Sequence, residues 1–255
     1  MTIPSQIKSL QHPIIKHCVS LRKESSYRAE KNTFLVMGKK EIQELPSFAK
    51  IIFLFTENGD FHELPSCQKH YILTPELFKK ITGLVHPEPY VAEVQIPKPP
   101  LKRLTRVLVC EQLSDPGNLG TLIRAALAFE FDAIYLLGST VDPFNDKAVR
   151  AAKGALFHMP ILSGDWEAFL LFKEKHDLHL YQADLSGTSL HELKPNFPCA
   201  IILGNEAKGT SEKTKKNAKA ITIAMNPLSE SLNVAIAGAV IMYNLSEVCQ
   251  SAKNI

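Results

Sequence analysis

From Val107 onward, short apolar runs alternate with segments of helical spacing, and no other feature limits the fold so strongly. The runs are 107-VLVC-110, 133-AIYLL-137, 178-LHLYQA-183, 199-CAIIL-203 and 220-AITIA-224. Helices are predicted over Leu119–Phe129, Asp146–Leu156, Trp166–His176, Ser211–Ala218 and Asn233–Val248. Strands this apolar need cover on both faces, so the alternation predicts a mostly parallel α/β sheet. Ligands of such sheets bind in the loops that follow the carboxyl ends of the strands. Three loops have a suitable composition: those after Cys110, after Leu203 and after Ala224.

The stretch 95-QIPKPPLKR-103 carries Pro97, Pro99 and Pro100, and predicts an extended linker. It divides the chain into a domain over 1–95, a linker over 96–103 and a domain over 104–255, both domains of single-core size. The first reads as mixed α/β. Residues 13–22 have helical spacing, 33–38, 50–55, 70–74 and 90–96 read as strands, and Pro75 sits well at a helix start. Basic residues crowd its beginning. Lys8, Lys16, Arg22, Lys23, Arg28, Lys31, Lys39 and Lys40 stand against Glu24 and Glu30 alone. Such a run either meets a phosphate backbone or forms a solvated helix face; Lys16, Arg22, Lys23 and Arg28 are the candidates for contact with a nucleic-acid backbone.

Other classes are excluded by what is missing. No apolar run approaches a membrane span. The first residues, MTIPSQIKSLQHP, lack the apolar core of a secretory leader, so a cytoplasmic protein is expected. The five cysteines (Cys18, Cys67, Cys110, Cys199 and Cys249) form no C-x-x-C pair, so reduced thiols and no metal site are expected.

The loop 115-DPGNLG-120 enters a predicted helix, a place that suits an anion. A dinucleotide turn needs G-x-G-x-x-G, and only Gly117 and Gly120 are present, which speaks against a dehydrogenase. The loop 204-GNEAKGTS-211 has Walker-like spacing, but Thr210 occupies the place of the phosphate-binding lysine. In the third loop Ser231 could do no more than cap the small-residue helix Asn233–Val240, whose Ala235, Ala237, Gly238 and Ala239 permit close approach to a neighbour.

Taken together and in order, the three loops resemble the motifs of the SpoU (TrmH) family of RNA 2′-O-ribose methyltransferases, of the SPOUT class. The first family motif, D-P-x-N-x-G followed by an arginine, is matched by Asp115-Pro116-Gly117-Asn118-Leu119-Gly120 and Arg124. The second, L-G-x-E-x-x-G, is matched by Leu203-Gly204-Asn205-Glu206-Ala207-Lys208-Gly209. The third is matched by Ile223-Ala224-Met225 and then Ser231-Leu232-Asn233-Val234, with Ala224 in place of proline. The segment 150-RAAKGALFHMPI-161 is also similar, with Ala152 where serine is usual. The N-terminal part resembles the family's small α/β substrate-binding module. It has His12 for the usual asparagine, the Tyr27-Arg28 pair, Met37 for the glutamate of F-L-V-E-G, and Glu88-Pro89 for Gln-Gly.

The resemblance implies an α/β fold with a C-terminal trefoil knot, a rare exception to unknotted chains. It implies S-adenosylmethionine held mainly by backbone around Leu203, Gly204, Ile223, Met225 and Leu232, and methyl transfer to a ribose 2′-hydroxyl. Arg124 is the implied central catalytic residue. A group with a pKa above about 12 gives up a proton reluctantly, so it serves more easily by holding a phosphate and stabilising the forming alkoxide than as a base. Asn118 would orient the ribose or Arg124, and Glu206, Ser231 and Asn233 would complete the polar network. Plainer roles are a helix cap for Asn118 and a loop carboxylate taking up N–H groups for Glu206. The family acts as a homodimer, and Ile236, Val240, Ile241 and Leu245 would serve either an interface or the core. The extra N-terminal module points to rRNA as substrate. A tRNA substrate and a knotted RNA-binding protein without catalysis are the alternatives.

Overall fold

A computed structural model describes residues 4–58 and 63–253, with side chains up to 246. The chain divides into two compact units, Met1–Lys98 with Asp142–Phe157, and Pro99–Val141 with His158–Ile255.

In the first unit the strands are β1 (Ser5–Ile7), β2 (Thr33–Met37), β3 (Ile51–Thr56), β4 (Cys67–Leu73) and β5 (Tyr90–Gln95). They form one sheet in the order β1-β4-β3-β5-β2, in which β5 runs antiparallel to its neighbours. The helices are α1 (Pro13–Lys23), α2 (Ser25–Lys31), α3 (Lys39–Gln43) and α4 (Pro75–Thr82). The core cluster contains Ile15, Cys18 and Leu21 of α1 with Leu77, Phe78 and Ile81 of α4. At two positions that depart from the family pattern the side chain accepts from an N–H at the start of a helix. His12 does the capping work of an asparagine, its Nδ1 accepting from the Ile14 N–H at 3.2 Å. Glu88 accepts from the Lys39 N–H at 3.0 Å at the start of α3.

The segment Asp142–Phe157 lies within 104–255 by sequence but packs with the first unit. Its helix α6 spans Asp146–Ala152, followed by a 3-10 turn over Ala155–Phe157. The predicted helix to Leu156 is cut short because Lys153 and Gly154 adopt positive φ, 46° and 82°. Phe157 joins the core beside Phe34, Ile42 and Leu54. Arg150 pairs with Asp146 at 3.0 Å and approaches Met37 Sδ at 3.9 Å, the place where the family pattern supplies a glutamate.

Arg28 is corrected here from an RNA contact to a buried structural cation. Its side chain is 3% exposed. Its Nε donates to Asp142 Oδ2 at 2.7 Å, and its Nη1 donates to the carbonyls of Leu21 and Arg22 at 2.5 and 3.0 Å. With four of its five N–H groups so engaged and the side chain buried, the guanidinium is withdrawn from solvent and from any phosphate, and opening the pair would leave a buried charge without its partner. Lys16 and Lys23 are exposed. Arg22 is half-buried against Gly83, the left-handed cap of α4.

In the second unit the strands are β6 (Arg106–Glu111), β7 (Ala133–Leu137), β8 (Ile161–Gly164), β9 (His179–Ser189), β10 (Cys199–Leu203) and β11 (Lys219–Thr222). The helices are α5 (Pro116–Ala128), α7 (Trp166–Lys175), α8 (Glu212–Asn217) and α9 (Val234–Lys253). The sheet order is β11-β9-β10-β6-β7-β8, and each of these pairs is parallel. The three continuous apolar runs β6, β7 and β10 are buried along their whole length, as a doubly covered sheet requires. The last sequence strand before α9 is at one edge, and β10 is inserted between β9 and β6. This places the ends of β6 and β10 side by side. The close approach expected of α9 is present. A Cβ on Gly238 would lie 2.4 Å from Leu122 of α5 and 2.6 Å from Leu203 of β10. Among the described residues no helix is long and apolar enough to cross a membrane.

Candidate active site

Three loops leave the carboxyl ends of β6, β10 and β11 in the second unit. Asp115 caps α5, its Oδ1 accepting from the Asn118 N–H at 2.8 Å, and Pro116 takes the first turn where no donor is needed. The cap expected of Asn118 therefore belongs to Asp115, and the Asn118 amide is free to turn elsewhere. After β10 the chain closes on itself. Asn205 and Gly209 exchange backbone hydrogen bonds at 3.0 and 2.8 Å. Asn205 Oδ1 accepts from the Ala207 and Lys208 N–H groups at 3.0 and 3.1 Å, and its Nδ2 donates to the Gln112 carbonyl at 2.9 Å. That last bond ties the second loop to the first. Below them the buried Glu111 carboxylate accepts from the Ser211 N–H at 3.1 Å and the Thr214 hydroxyl at 3.0 Å, fixing the start of α8. Sequence reading missed Asn205, Gln112 and Glu111, because each acts through contacts about a hundred residues away in one direction or the other.

Glu206 joins the loops most firmly. Its Oε2 accepts from the Ser114 N–H at 3.2 Å and the Ser114 hydroxyl at 3.0 Å; its Oε1 accepts from the Asp115 N–H at 3.2 Å and Asn118 Nδ2 at 3.1 Å. Asn118 Oδ1 then accepts from Asn233 Nδ2 at 3.0 Å, and Asn233 Oδ1 accepts from the Ala235 and Ile236 N–H groups at 2.9 and 3.3 Å. Each amide orientation is set by the next, since the backbone donors of α9 claim the Asn233 oxygen. Asn233, not Ser231, is thus the cap of α9. Partial burial alone would raise the Glu206 carboxyl, but the Asn118 amide and the backbone N–H groups outweigh it and bring it down to about 2. With its lone pairs occupied and its charge fixed, Glu206 is a clamp and a poor proton acceptor.

The same shift predicts an acid response. The folded-state pKa lies below the ordinary 4.5, so the clamp's stabilisation is complete above pH 4.5 and is lost as pH falls from there toward about 2. Glu206→Gln should lower the urea midpoint at neutral pH and shrink its further fall across that window. Parallel acid titrations of the two proteins would contradict the clamp.

A cavity of about 670 Å³ opens beside this network, within the size range of small-molecule sites. Leu203, Gly204, Ile223, Met225 and Leu232 all line it, together with Glu206, Ser231 and Asn233. A Cβ on Gly204 would sit 2.2 Å from the Gly209 carbonyl carbon, so the loop passes there at a distance only glycine allows. Arg124 is exposed on α5, about 120° round the helix from Asn118. It makes no hydrogen bond or ion pair among the described residues, so it stands apart from the network with its donors free. Among the described residues Cys18, Cys67, Cys110 and Cys199 form no disulfide, and burial with the nearby Glu206 charge pushes Cys110 up to about 12. The side chain of Cys249 lies outside the described residues.

Known proteins resemble this chain in sequence and in fold. The chain is 31% identical to the 23S rRNA (guanosine(2553)-2′-O)-methyltransferase RlmP of Bacillus subtilis over 94% of its own length and 98% of that protein's. An AdoMet-bound rRNA methyltransferase from Sinorhizobium meliloti superposes with a TM-score of 0.84 at 24% identity, over 96% of this chain and 98% of that one. A TrmH-family protein from Porphyromonas gingivalis has a TM-score of 0.79 at 30% identity, over 92% and 98%. The profile of the SpoU rRNA Methylase family matches residues 105–243, the span that holds all three loops, and the chain belongs to that family.

Proposed function

We propose that this protein transfers a methyl group from S-adenosylmethionine to a ribose 2′-hydroxyl of rRNA. The observation that carries the reading is the junction of the three loops, where the Glu206–Asn118–Asn233 chain borders a cavity walled by Leu203, Gly204, Ile223, Met225 and Leu232. The cavity has the volume for a nucleoside with an amino-acid tail. Its apolar Leu203, Ile223 and Leu232 suit a purine ring, and the bare backbone at Gly204 suits recognition of the ring edge. When bound there, the cofactor supplies a methyl group activated by a sulfonium. Support for rRNA comes from the match to RlmP over nearly the whole of both chains.

The chain's own residues orient the acceptor. Asn118, locked between Glu206 and Asn233, presents a fixed amide at the start of α5. Arg124 holds the phosphate beside the target ribose and stabilises the alkoxide that forms as the hydroxyl releases its proton to solvent water. Ser231 and Asn233 face the cavity and position the acceptor relative to it. Lys16 and Lys23, with the half-buried Arg22, serve RNA binding in the N-terminal unit.

The same reading includes a cytoplasmic homodimer and the trefoil knot. The second copy fits α9, whose residues divide by face. Ile241 and Leu245 are buried, whereas Ile236, Val240 and Tyr243 are 55%, 40% and 51% exposed. Those three recur at helical spacing, and Leu127 of α5 is exposed as well. Insertion of β10 between β9 and β6 accords with a threaded C-terminal half.

The direct test is calorimetry with S-adenosylmethionine, followed by methylation of an unmodified rRNA transcript and mapping of 2′-O-methyl positions. Heat of binding and one methylated ribose are expected. No heat would remove the cofactor assignment, and binding without methylation of any rRNA would remove the substrate.

A further inference from the structure

We infer that the surface formed by the β10–α8 loop, α8 and the start of β11 is a second RNA contact, which grips backbone phosphates with Lys208, Lys216 and Lys219. The inference rests on the proposed RNA substrate and adds a site in the methyltransferase unit itself. Between Glu206 and Lys219 five lysines face two glutamates, a surplus of three that equals the net charge of the whole chain. The glutamates do not neutralise the surplus evenly. The Glu206 charge is taken up by Ser114, Asp115 and Asn118. Glu212 pairs with Lys215 at 2.9 Å, and Asp184 lies close enough to Lys215 to favour its charged form. Lys213 pairs with Glu167 of α7 at 3.2 Å. Lys208, Lys216 and Lys219 remain, all exposed and without an ion pair among the described residues.

The basic run at the N-terminus fares differently. There Arg28 is committed to Asp142, Lys31 to Glu30, Lys39 to Glu63 and Lys40 to Glu44. Sequence charge therefore overstates the cations available in the N-terminal run, whereas three of the five lysines of the segment 208–219 stay outside any ion pair among the described residues. Position adds to the argument. Lys208 lines the cavity at the tip of the loop that carries Glu206, so the lysine-bearing segment begins at the rim of the candidate site. Asp184 and Glu230 line the same cavity, which confines the attraction for a polyanion to the lysine-bearing segment. Exposed, unpaired ammonium groups bind phosphates as point charges and release counterions, giving a salt-dependent affinity with no sequence preference.

The test uses the double variant Lys216→Ala, Lys219→Ala, since neither residue lines the cavity. Binding to an unmodified rRNA transcript is measured by filter retention from about 50 to 200 mM salt, alongside calorimetry with S-adenosylmethionine. The expected result is RNA affinity roughly tenfold lower at the low-salt end and a log–log salt slope smaller by about 1.4–1.8, for two phosphate contacts, with unchanged heat of cofactor binding. Lys208→Ala should lower the slope by about a further 0.7–0.9. An unchanged slope in the variants, with a parent that binds the transcript, would overturn the contact and leave the substrate reading intact. A parent that binds the cofactor but no RNA would overturn both.

Discussion

Arg124→Ala should slow methyl transfer by about 10²–10³-fold at saturating RNA while cofactor affinity stays within about twofold, the loss expected when one preorganised donor to a developing oxyanion is removed. The structure makes this variant unusually clean. Arg124 is exposed, holds no partner among the described residues, and lies on a helix whose buried side is Leu119, Leu122, Ile123 and Ala126. Its removal therefore costs little stability, and the fall in rate reports chemistry. Arg124 does not line the cavity, which is why cofactor binding should survive. Arg124→Lys separates a positioning cation from a proton acceptor. A positioning cation retains part of the rate in the lysine variant, with a pH profile like the parent's. A proton acceptor would give a profile displaced toward lower pH, since lysine loses its proton near pH 10.4 and arginine above about 12. Full turnover by Arg124→Ala would take the residue out of the mechanism.

The part of the fold visible in the sequence is the part governed by local periodicity. Continuous apolar runs such as 133-AIYLL-137 and 199-CAIIL-203 coincide with β7 and β10 at both ends, because a doubly covered strand has no polar face to blur its limits. Half-exposed elements were harder. β8, Ile161–Gly164, has a Ser-Gly end and no alternation, and β1 has one buried residue in three. β9 extends past its apolar run to Ser189 because β11 shifts register between Ala220 and Ile221 and takes up Thr188 and Ser189, a tertiary event with no local trace. The excursion Asp142–Phe157 is of the same kind. Its affiliation depends on Asp142 meeting Arg28 and Phe157 meeting Phe34, contacts more than a hundred residues apart in sequence.

In the candidate site, motif spacing located the residues but not their division of labour. Glu206 was expected in a catalytic network, and its four donors make it the joint between loops. The sequence offered Ser231 as a helix cap, yet Asn233 performs that role and reaches Asn118 with the other end of its amide. Which of two neighbouring polar side chains turns toward a helix end depends on what the other loop presents to it. Charge reads poorly for a related reason: a count of lysines and arginines does not show which of them the fold has already paired.

Gly204→Ala should be strongly damaging. The added Cβ would lie 2.2 and 2.4 Å from the Gly209 carbonyl carbon and oxygen and 2.3 Å from the Thr210 nitrogen. All three are backbone atoms in a loop closed by the Asn205–Gly209 pair, so no flexible side chain can swing away. Relief requires moving the loop, and the loop carries the Asn205 bond to Gln112, the Glu206 clamp and the Ser211 N–H held by Glu111. Overpacking of this kind costs about 1–3 kcal/mol, a fall in Tm of roughly 2–12 °C for a unit of this size. The loss of cofactor binding should be larger still, because Gly204 lines the cavity and the shifted strand end no longer matches Ile223 and Leu232 across it. Gly209→Ala provides the comparison. There a Cβ meets nothing within 4 Å, and only its φ of +70° opposes the change, a penalty of about 1–2 kcal/mol without steric displacement of the loop. Calorimetry with S-adenosylmethionine should therefore show binding by Gly209→Ala and none by Gly204→Ala. Parent-like affinity in Gly204→Ala would mean that the cofactor lies elsewhere than against this turn.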